Sequence, residues 1–282
     1  MSMQEYKFKK SGTLTEVIVR EEGYIHPRKG GRHHKSVTLI DEVHAQKVHT
    51  HSISNTIRNF KRLVYANFSE SYTLLTLTFN PNECDFDITD ISVCKEKFAY
   101  YWSNLKRGKK KDKCFDGIDM RYLGVIEFHD SGNIHFHILC HIPRIYSDTL
   151  QKKWQHGHLD FRRSAKDPLA VRKINNYLKK GIYDARLQNE KQRYLSSRNL
   201  KRTVQFTMID DQFPEWLEKN GEFITNPPSQ YGFDYYEYST TLSEEEFAAY
   251  FDSTNSTSSI KLTKHLALES KLANMDDYKV IR

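Results

Sequence analysis

Two β-rich runs separated by a short loop stand in the middle of the sequence, and their pairing limits the folds that the chain can adopt. The runs are Tyr122–Phe128 and Ile134–Ile142, and the loop between them contains Gly132. Side chains of two kinds alternate at the start of the second run, which is typical of a strand with two different faces. Two such runs around a short glycine-containing loop predict an antiparallel hairpin.

The segments around this hairpin alternate between helix and strand patterns. Apolar residues at helical spacing predict four helices, and runs of β-branched and aromatic residues predict two more strands. The predicted helices span residues 54–68, 91–105, 149–154 and 169–186, and the strands span residues 72–79 and 157–161. This order predicts an α+β fold, with a central antiparallel β-sheet that carries helices on one face.

Charge is unevenly distributed along the 282 residues, whose net charge is +7. Residues 1–206 contain 37 Lys and Arg against 22 Asp and Glu, whereas residues 207–282 contain 6 against 14. This asymmetry favours a polyanion-binding body followed by an acidic part, although a merely solvated basic surface has the same composition. We predict a basic N-terminal arm (1–53), a central domain (54–206), and a C-terminal extension (207–282) that binds a partner or mediates oligomerisation. In the arm, Arg28–Lys35 is typical either of a phosphate-contacting segment or of a tail.

Cysteine and hydropathy patterns exclude several classes of protein. The four cysteines form no Cys-x-x-Cys pair, which indicates reduced thiols. The N-terminus lacks the apolar core of a signal peptide, and no apolar run reaches the roughly 20 residues that span a bilayer. We therefore expect a cytoplasmic protein without membrane contact, and neither a transporter nor a disulfide scaffold.

Three His-x-His pairs occur in the chain, and one of them lies in the hairpin. His135 and His137 are two residues apart on the second run, so both side chains share one face, about 7 Å apart at Cα. The other two pairs lie in segments without a strong strand pattern. Two half-exposed sheet histidines are the ordinary interpretation of such a pair, and a third ligand would favour a metal site.

Glu127 on the first run is the candidate third ligand. If three residues form the loop and Gly132 is left-handed, Glu127 lies directly opposite His135 and shares its face. An even loop would turn Glu127 away, and His129 and His141 are the reserve candidates. Two imidazoles and a carboxylate with open positions suit Mg²⁺ or Mn²⁺, although imidazoles also bind Zn²⁺. Such an ion beside a basic surface suggests polarisation of a phosphodiester.

A candidate nucleophile, Tyr177, lies three residues before Lys180 on the predicted helix 169–186. Residues three apart lie on the same face of a helix. A tyrosine hydroxyl has a pKa of about 10, and a neighbouring ammonium group together with a metal-polarised phosphate would help it react. A tyrosine on an amphipathic helix is nevertheless more often a core residue.

The order and approximate spacing of these motifs resemble those of rolling-circle replication initiators of plasmids and phages, a branch of the HUH endonucleases. The resemblance covers roughly residues 55–206 and includes GVIEFHDSGNIHFHIL, KKWQHGHLDFRR, NNYLKKG and RYLSSRNLKR. It implies an HUH or RRM-like palm, a divalent metal held by both histidines and Glu127, and a metal-dependent nickase and strand transferase. By this resemblance Tyr177, with Lys180, attacks single-stranded origin DNA, stays joined to the 5′ end and frees a 3′-OH that primes synthesis.

Some relatives have a second tyrosine four residues after the first, where this chain has Gly181. Tyr183 is six residues after Tyr177 and turned away from it, so we expect a single-tyrosine enzyme. The chain has no Walker-type glycine-rich loop, so unwinding would need a host helicase, and synthesis a host polymerase. The expected substrate is single-stranded or hairpin origin DNA, bound by a possible oligomer.

Several basic residues are candidates for DNA contacts. They are Arg58, Lys61, Arg62, Lys109, Lys110, Arg162, Arg163, Lys173 and Lys179. A relaxase or transposase would use the same chemistry, so the sequence leaves that choice open. Two hypotheses of a different kind compete with these enzymes. One is a non-catalytic nucleic-acid-binding protein that clamps phosphates and stacks bases, and the second is a metal-dependent hydrolase that activates water.

Overall fold

The computed structural model describes residues 3–21, 42–111, 115–164, 168–225 and 234–253. The chain divides into a central unit, Val37–Lys201, and a terminal unit that combines Met1–Ser36 with Arg202–Arg282. These boundaries differ from the predicted division into an arm, a domain and an extension. The difference arises because strands from the two ends of the chain pair in one sheet, which no local pattern reveals.

The strands in the described residues are β1 (Gln4–Ser11), β2 (Leu14–Glu21), β3 (Thr73–Thr78), β4 (Tyr122–Phe128), β5 (Ile134–Cys140), β6 (Leu159–Arg163), β7 (Tyr194–Ser196), β8 (Val204–Asp210), β9 (Gly221–Thr225) and β10 (Asp234–Thr240). The helices are α1 (Glu42–Phe68), α2 (Ile91–Lys111), α3 (Ser147–Lys153), α4 (Pro168–Ile182), α5 (Glu215–Asn220) and α6 (Glu244–Ser253). Short 3-10 helices span Arg144–Tyr146 and Ala185–Leu187.

The terminal unit is an antiparallel sheet in the order β8-β1-β2-β10-β9. Alternate residues of β1 are buried, as expected for a strand with one covered face. Among them, Phe8 packs against Phe247 and Phe251 of α6. The described parts of the predicted arm and extension therefore fold together. The basic stretch Arg28–Lys35 lies outside the described residues.

The central unit contains the predicted central sheet, in the order β6-β3-β5-β4-β7, with every neighbouring pair antiparallel. β4 and β5 pair along their whole length, which confirms the hairpin. With the helices around it, this sheet confirms the α+β fold class.

Helices cover both faces of the central sheet, whereas the sequence predicted helices on one face. Every residue of β5 except His135 is buried, and a strand buried on both sides needs cover on both faces. On one face Phe136 packs against Phe98 of α2, with ring centroids 5.3 Å apart. On the other face Gly181 of α4 lies against Val125 of β4. The prediction was wrong because alternation at His135 and His137 masked a nearly fully buried strand.

Two helices are longer than predicted. α1 begins at Glu42, and α2 continues to Lys111 through the basic run that starts at Lys106. Lys and Arg are good helix formers, so apolar spacing alone gives too short a helix where the last turns face solvent.

Cysteines and hydropathy agree with an interior of ordinary apolar packing. Cys84, Cys94 and Cys140 are free thiols, and Cys114 lies outside the described residues. Burial raises the pKa of the Cys94 and Cys140 thiols to about 12, so these two thiols are unreactive. Among the described residues, no helix has the length and apolar character needed to cross a membrane.

Candidate active site

The turn of the β4–β5 hairpin determines the face on which Glu127 lies. Gly132 has a φ of 87°, in the left-handed region that glycine adopts without strain. Its N–H donates to the His129 carbonyl at 2.9 Å, and the His129 N–H donates to the Asn133 carbonyl at 2.9 Å. In this register Glu127 is directly opposite His135, as the three-residue loop predicted.

His137 is held by a neighbouring strand on one side and meets Glu127 on the other. Its Nδ1 lies 3.1 Å from the hydroxyl of Thr76, its cross-strand neighbour on β3. Its Nε2 is in hydrogen-bonding contact with Glu127 Oε2. The side chain is only 6% exposed. A histidine held in this way presents its second nitrogen in a fixed direction.

Helix α4 brings Tyr177 to the same point from 40 residues further along the chain. Its hydroxyl donates to Glu127 Oε2 at 3.3 Å and lies 3.3 Å from His137 Nε2. The rings of Tyr177 and His137 meet edge to face, with centroids 5.4 Å apart. Tyr177 is 41% exposed, so it is not the core residue that its helical pattern alone would favour.

Gly181 explains how α4 comes close enough to β4 for these contacts. A Cβ atom built on Gly181 would lie 2.6 Å from the carbonyl oxygen of Ile126 and 3.3 Å from Val125. A side chain at the position four residues after Tyr177 would therefore push the helix away from the sheet. Tyr183 is exposed and lies just beyond the last residue of α4.

The surroundings of Tyr177 keep its hydroxyl protonated. Burial raises the pKa of Tyr177, and the charge and hydrogen bond of Glu127 raise it further. The charge of Arg162 on β6 acts in the opposite direction. Lys180 is exposed, and among the described residues it makes no hydrogen bond or ion pair. Arg162 is thus the cation that acts on the tyrosine here, and the role of Lys180 stays a prediction.

His135 lies in an open cleft beside the hairpin turn. Its ring stacks on that of His129, with centroids 5.3 Å apart and planes at 24°. Burial lowers the pKa of His135, and the neighbouring His129 and His137 lower it further. The cleft has a volume of about 360 Å³ and is lined by Glu127, Phe128, His129, Asp130, His135 and His137. A neutral imidazole is the form that binds a metal.

The donors of this cleft fit a divalent cation in kind. Two imidazoles and one carboxylate line it, from Glu127, His135 and His137. Across the part of the chain that the structure describes, no three His, Cys, Asp or Glu side chains are already spaced to hold a metal ion. Glu127 instead bonds His137 directly, and His135 stacks on His129. Metal binding would therefore require side chains to turn, and it stays a prediction.

The remaining histidine candidates lie in packed surroundings. His141 Nε2 is 3.0 Å from the Asn67 carbonyl oxygen, and its ring stacks on Phe68 at 5.0 Å. This contact ties β5 to α1 and does not reach the cleft. His156, from a second His-x-His pair, packs edge-on against Trp154.

The basic candidates for DNA contacts are spread over three elements. They are Arg58, Lys61 and Arg62 on α1, Arg162 and Arg163 on β6, and Lys173 and Lys179 on α4. The side chains of Lys109 and Lys110 lie outside the described residues. Among these candidates Arg162 is connected to the site, through its charge effect on Tyr177.

Two contributors to the site were not predicted from the sequence. Thr76 orients His137, and the signal for it was the alternation of threonine along β3. The Arg186 guanidinium lies 4.1 Å from the centre of the Phe128 ring at the cleft. Its signal was the spacing Asp184-Ala-Arg186, in which an aspartate precedes an arginine by two residues.

The central unit is an α+β domain in which a hairpin and a helix place two histidines, a carboxylate and a tyrosine around one cleft. A family model of replication-associated proteins, described by the names ORF2 and gene 2 protein, matches residues 72–182, from the start of β3 to the end of α4. The matched segment, less than half of the chain, is similar to that replication-associated family, in agreement with the resemblance to rolling-circle replication initiators. No curated protein and no solved structure matches the chain.

Proposed function

We propose that the protein initiates rolling-circle replication of a plasmid or phage by nicking single-stranded origin DNA through Tyr177. The observation that carries this proposal is the position of the Tyr177 hydroxyl, 3.3 Å from both Glu127 Oε2 and His137 Nε2. A tyrosine that only packs would have no reason to direct its hydroxyl at a carboxylate and an imidazole in an open cleft. The family match over residues 72–182 supports a role in replication.

In the proposed step the Tyr177 oxygen attacks the phosphorus of one phosphodiester, and the bond from phosphorus to the 3′ oxygen breaks. The 5′ phosphate becomes joined to the tyrosine, and the 3′ oxygen takes up a proton and leaves as a 3′-OH. Glu127 takes the proton of the tyrosine, whose hydrogen bond it already accepts. One phosphodiester replaces another, so the step needs no energy source, and its reversal joins strands.

Glu127, His135 and His137 would hold the divalent cation of this mechanism, Mg²⁺ or Mn²⁺. When bound, the cation would withdraw negative charge from the attacked phosphate. Thr76 would orient His137 from behind, as partners of metal-binding histidines usually do. Since burial and Glu127 raise the pKa of Tyr177, positive charge nearby is needed to favour attack.

The test is the formation of a covalent protein–DNA adduct. The protein is incubated with Mn²⁺ and labelled single-stranded hairpin oligonucleotides from the non-coding DNA beside its gene, and the products are separated under denaturing conditions. We expect an adduct that is lost with EDTA and in Tyr177→Phe. Tyr183→Phe is the matched control, because Tyr183 is also exposed near the end of α4, and this variant should retain the adduct.

Different outcomes would support the competing hypotheses. Cleavage without an adduct would indicate a metal-dependent hydrolase that acts through water. DNA binding that is equal in wild type and Tyr177→Phe, without any cleavage, would indicate a non-catalytic binding protein. An adduct on a transfer origin or a transposon end, but not on a replication origin, would indicate a relaxase or a transposase. Because the sequence has no Walker-type loop, a host helicase and polymerase would complete initiation.

A further inference from the structure

Arg186 lies beside the cleft in a position that core packing does not require. It belongs to the short 3-10 helix Ala185–Leu187, which follows α4 closely. Its guanidinium carbon is 4.1 Å from the centre of the Phe128 ring, and Phe128 lines the cleft. Such a cation over an aromatic face is held in place by the charge distribution of the ring.

Asp184 fixes the orientation of this guanidinium. Arg186 Nε donates to Asp184 Oδ1 at 2.9 Å, and Nη2 donates to Oδ2 at 2.7 Å. A two-point contact of this kind sets the plane of the guanidinium as well as its position. Asp184 Oδ1 also accepts the backbone N–H of Arg186 at 2.9 Å. The aspartate therefore holds both the short helix and the charged group.

The rest of the guanidinium is available to a ligand. Within the described residues, the bonds to Asp184 are the hydrogen bonds of the Arg186 side chain, so both hydrogens of Nη1 and one of Nη2 are unused. The side chain is 48% exposed. The charge of Asp130, which lines the cleft, also acts on Arg186.

A second pair of the same spacing lies on β6. Arg162 Nε donates to Asp160 Oδ2 at 2.7 Å, and the charge of Arg162 acts on Tyr177. The chain thus has two arginines, each held by an aspartate two residues earlier. One influences the tyrosine, and the other lies over the aromatic ring of the cleft.

We propose that Arg186 is a positioning residue that binds a backbone phosphate of single-stranded DNA next to the phosphate attacked by Tyr177. This inference rests on the proposed function. The planar guanidinium offers paired N–H groups that match two phosphate oxygens, and Asp184 and Phe128 hold it before DNA arrives. Held in advance, it binds phosphate at a smaller cost in side-chain entropy.

Binding is measured first, by fluorescence anisotropy with a labelled mixed-sequence single-stranded oligonucleotide in the Tyr177→Phe background. Arg186→Ala should weaken binding about 10- to 100-fold, the usual range for a hydrogen bond to a charged group. It should also reduce the slope of log affinity against log salt by about 0.7, the value for one phosphate contact on a single strand. Arg186→Lys should restore the slope but not the full affinity, because it keeps the charge and loses the fork.

Arg107→Ala is the matched control. Arg107 also lies over an aromatic ring, that of Tyr100 at 5.8 Å, and bonds a neighbouring side chain, that of Asn104. It lies on α2, which packs on the sheet face opposite the histidines. This variant should leave the affinity, the salt slope and adduct formation unchanged.

Adduct kinetics then locate the phosphate. With Tyr177 present, Arg186→Ala should raise KM and leave kcat nearly unchanged. A single uncharged methylphosphonate, moved along the oligonucleotide, should reproduce this loss in wild type at one position beside the nick. At that position the methylphosphonate should cost Arg186→Ala nothing more, since both changes remove the same contact.

The proposal is overturned if Arg186→Ala, folded as judged by its thermal unfolding, matches Arg107→Ala in affinity and salt slope. It is also overturned if the two losses add at every position. If Arg186→Ala does not fold, Arg186→Lys and the methylphosphonate scan of wild type decide. If wild type binds DNA without forming an adduct, the proposed function fails, while the anisotropy comparison still decides whether Arg186 binds phosphate.

Discussion

Replacing Gly181 with alanine should separate Tyr177 from its partners without touching any of them. Gly181 lies where α4 crosses β4, and a Cβ atom there would be 2.6 Å from the Ile126 carbonyl oxygen. Real Cβ atoms essentially never approach within 3.0 Å of such an atom. The backbone carbonyl cannot turn aside as a flexible side chain could, so the helix must move out by at least about 0.4 Å.

The magnitude follows from two opposing effects. Extra volume in a packed contact costs about 1–3 kcal/mol, whereas alanine favours the helix over glycine by about 1 kcal/mol. The free energy of unfolding should therefore fall by up to about 2 kcal/mol. Tyr177 is one helical turn before Gly181 and would move outward with it. Since a 1 Å misplacement can cost about 100-fold in rate, we expect adduct formation to slow about 10-fold or more.

Urea unfolding and the rate of adduct formation at saturating DNA measure the two effects separately. Gly117→Ala is the control, because Gly117 has a φ of 72° with open space around it. Alanine there should lose stability through backbone strain, but the adduct rate should stay at the wild-type value. Adduct formation by Gly181→Ala at the wild-type rate would refute the reasoning that close helix–sheet contact positions the nucleophile.

Three further changes test separate parts of the structure. Burial lowers the pKa of Lys10 to about 8 from 10.5, so the unfolded chain binds more protons between these values and stability should rise with pH there; Lys10→Met should abolish the rise in urea unfolding between pH 8 and 9.5. Thr76→Val removes the partner of His137 Nδ1 and should raise the Mn²⁺ concentration needed for adduct formation about 10- to 100-fold. Phe98→Ala empties a fully buried site against Phe136 and should cost about 3–5 kcal/mol in thermal or urea unfolding, and a loss below about 1 kcal/mol would contradict the packing of α2.

The hairpin could be predicted in detail because its information is local. Alternation sets the faces of β5, the glycine sets the turn, and the turn length sets the register that places Glu127 opposite His135. The position of Tyr177 could not be predicted in this way. It depends on how closely α4 packs on β4, and that distance is set by a single missing side chain at Gly181.

The contacts of the site also show where sequence patterns mislead. His141 continues the alternation of β5 and looks like a further ligand, yet it bonds the Asn67 carbonyl oxygen instead. Arg186 follows the last strong helical pattern and carries no motif of its own. Its place over Phe128 depends on the turn after α4, whose geometry no periodicity records.

The charge asymmetry of the sequence takes a different form once the pairing of the chain ends is known. A division at residue 206 assigns the N-terminal strands to the basic part, but these strands pair with β8 and β10 of the acidic part. The central unit, Val37–Lys201, contains 28 Lys and Arg against 18 Asp and Glu, and the remainder contains 15 against 18. The excess of +10 therefore belongs to the unit that carries the cleft, the tyrosine and both aspartate-held arginines. Attraction of a polyanion should accordingly depend on this unit and weaken steeply with salt, whereas the near-neutral terminal unit should contribute little to it.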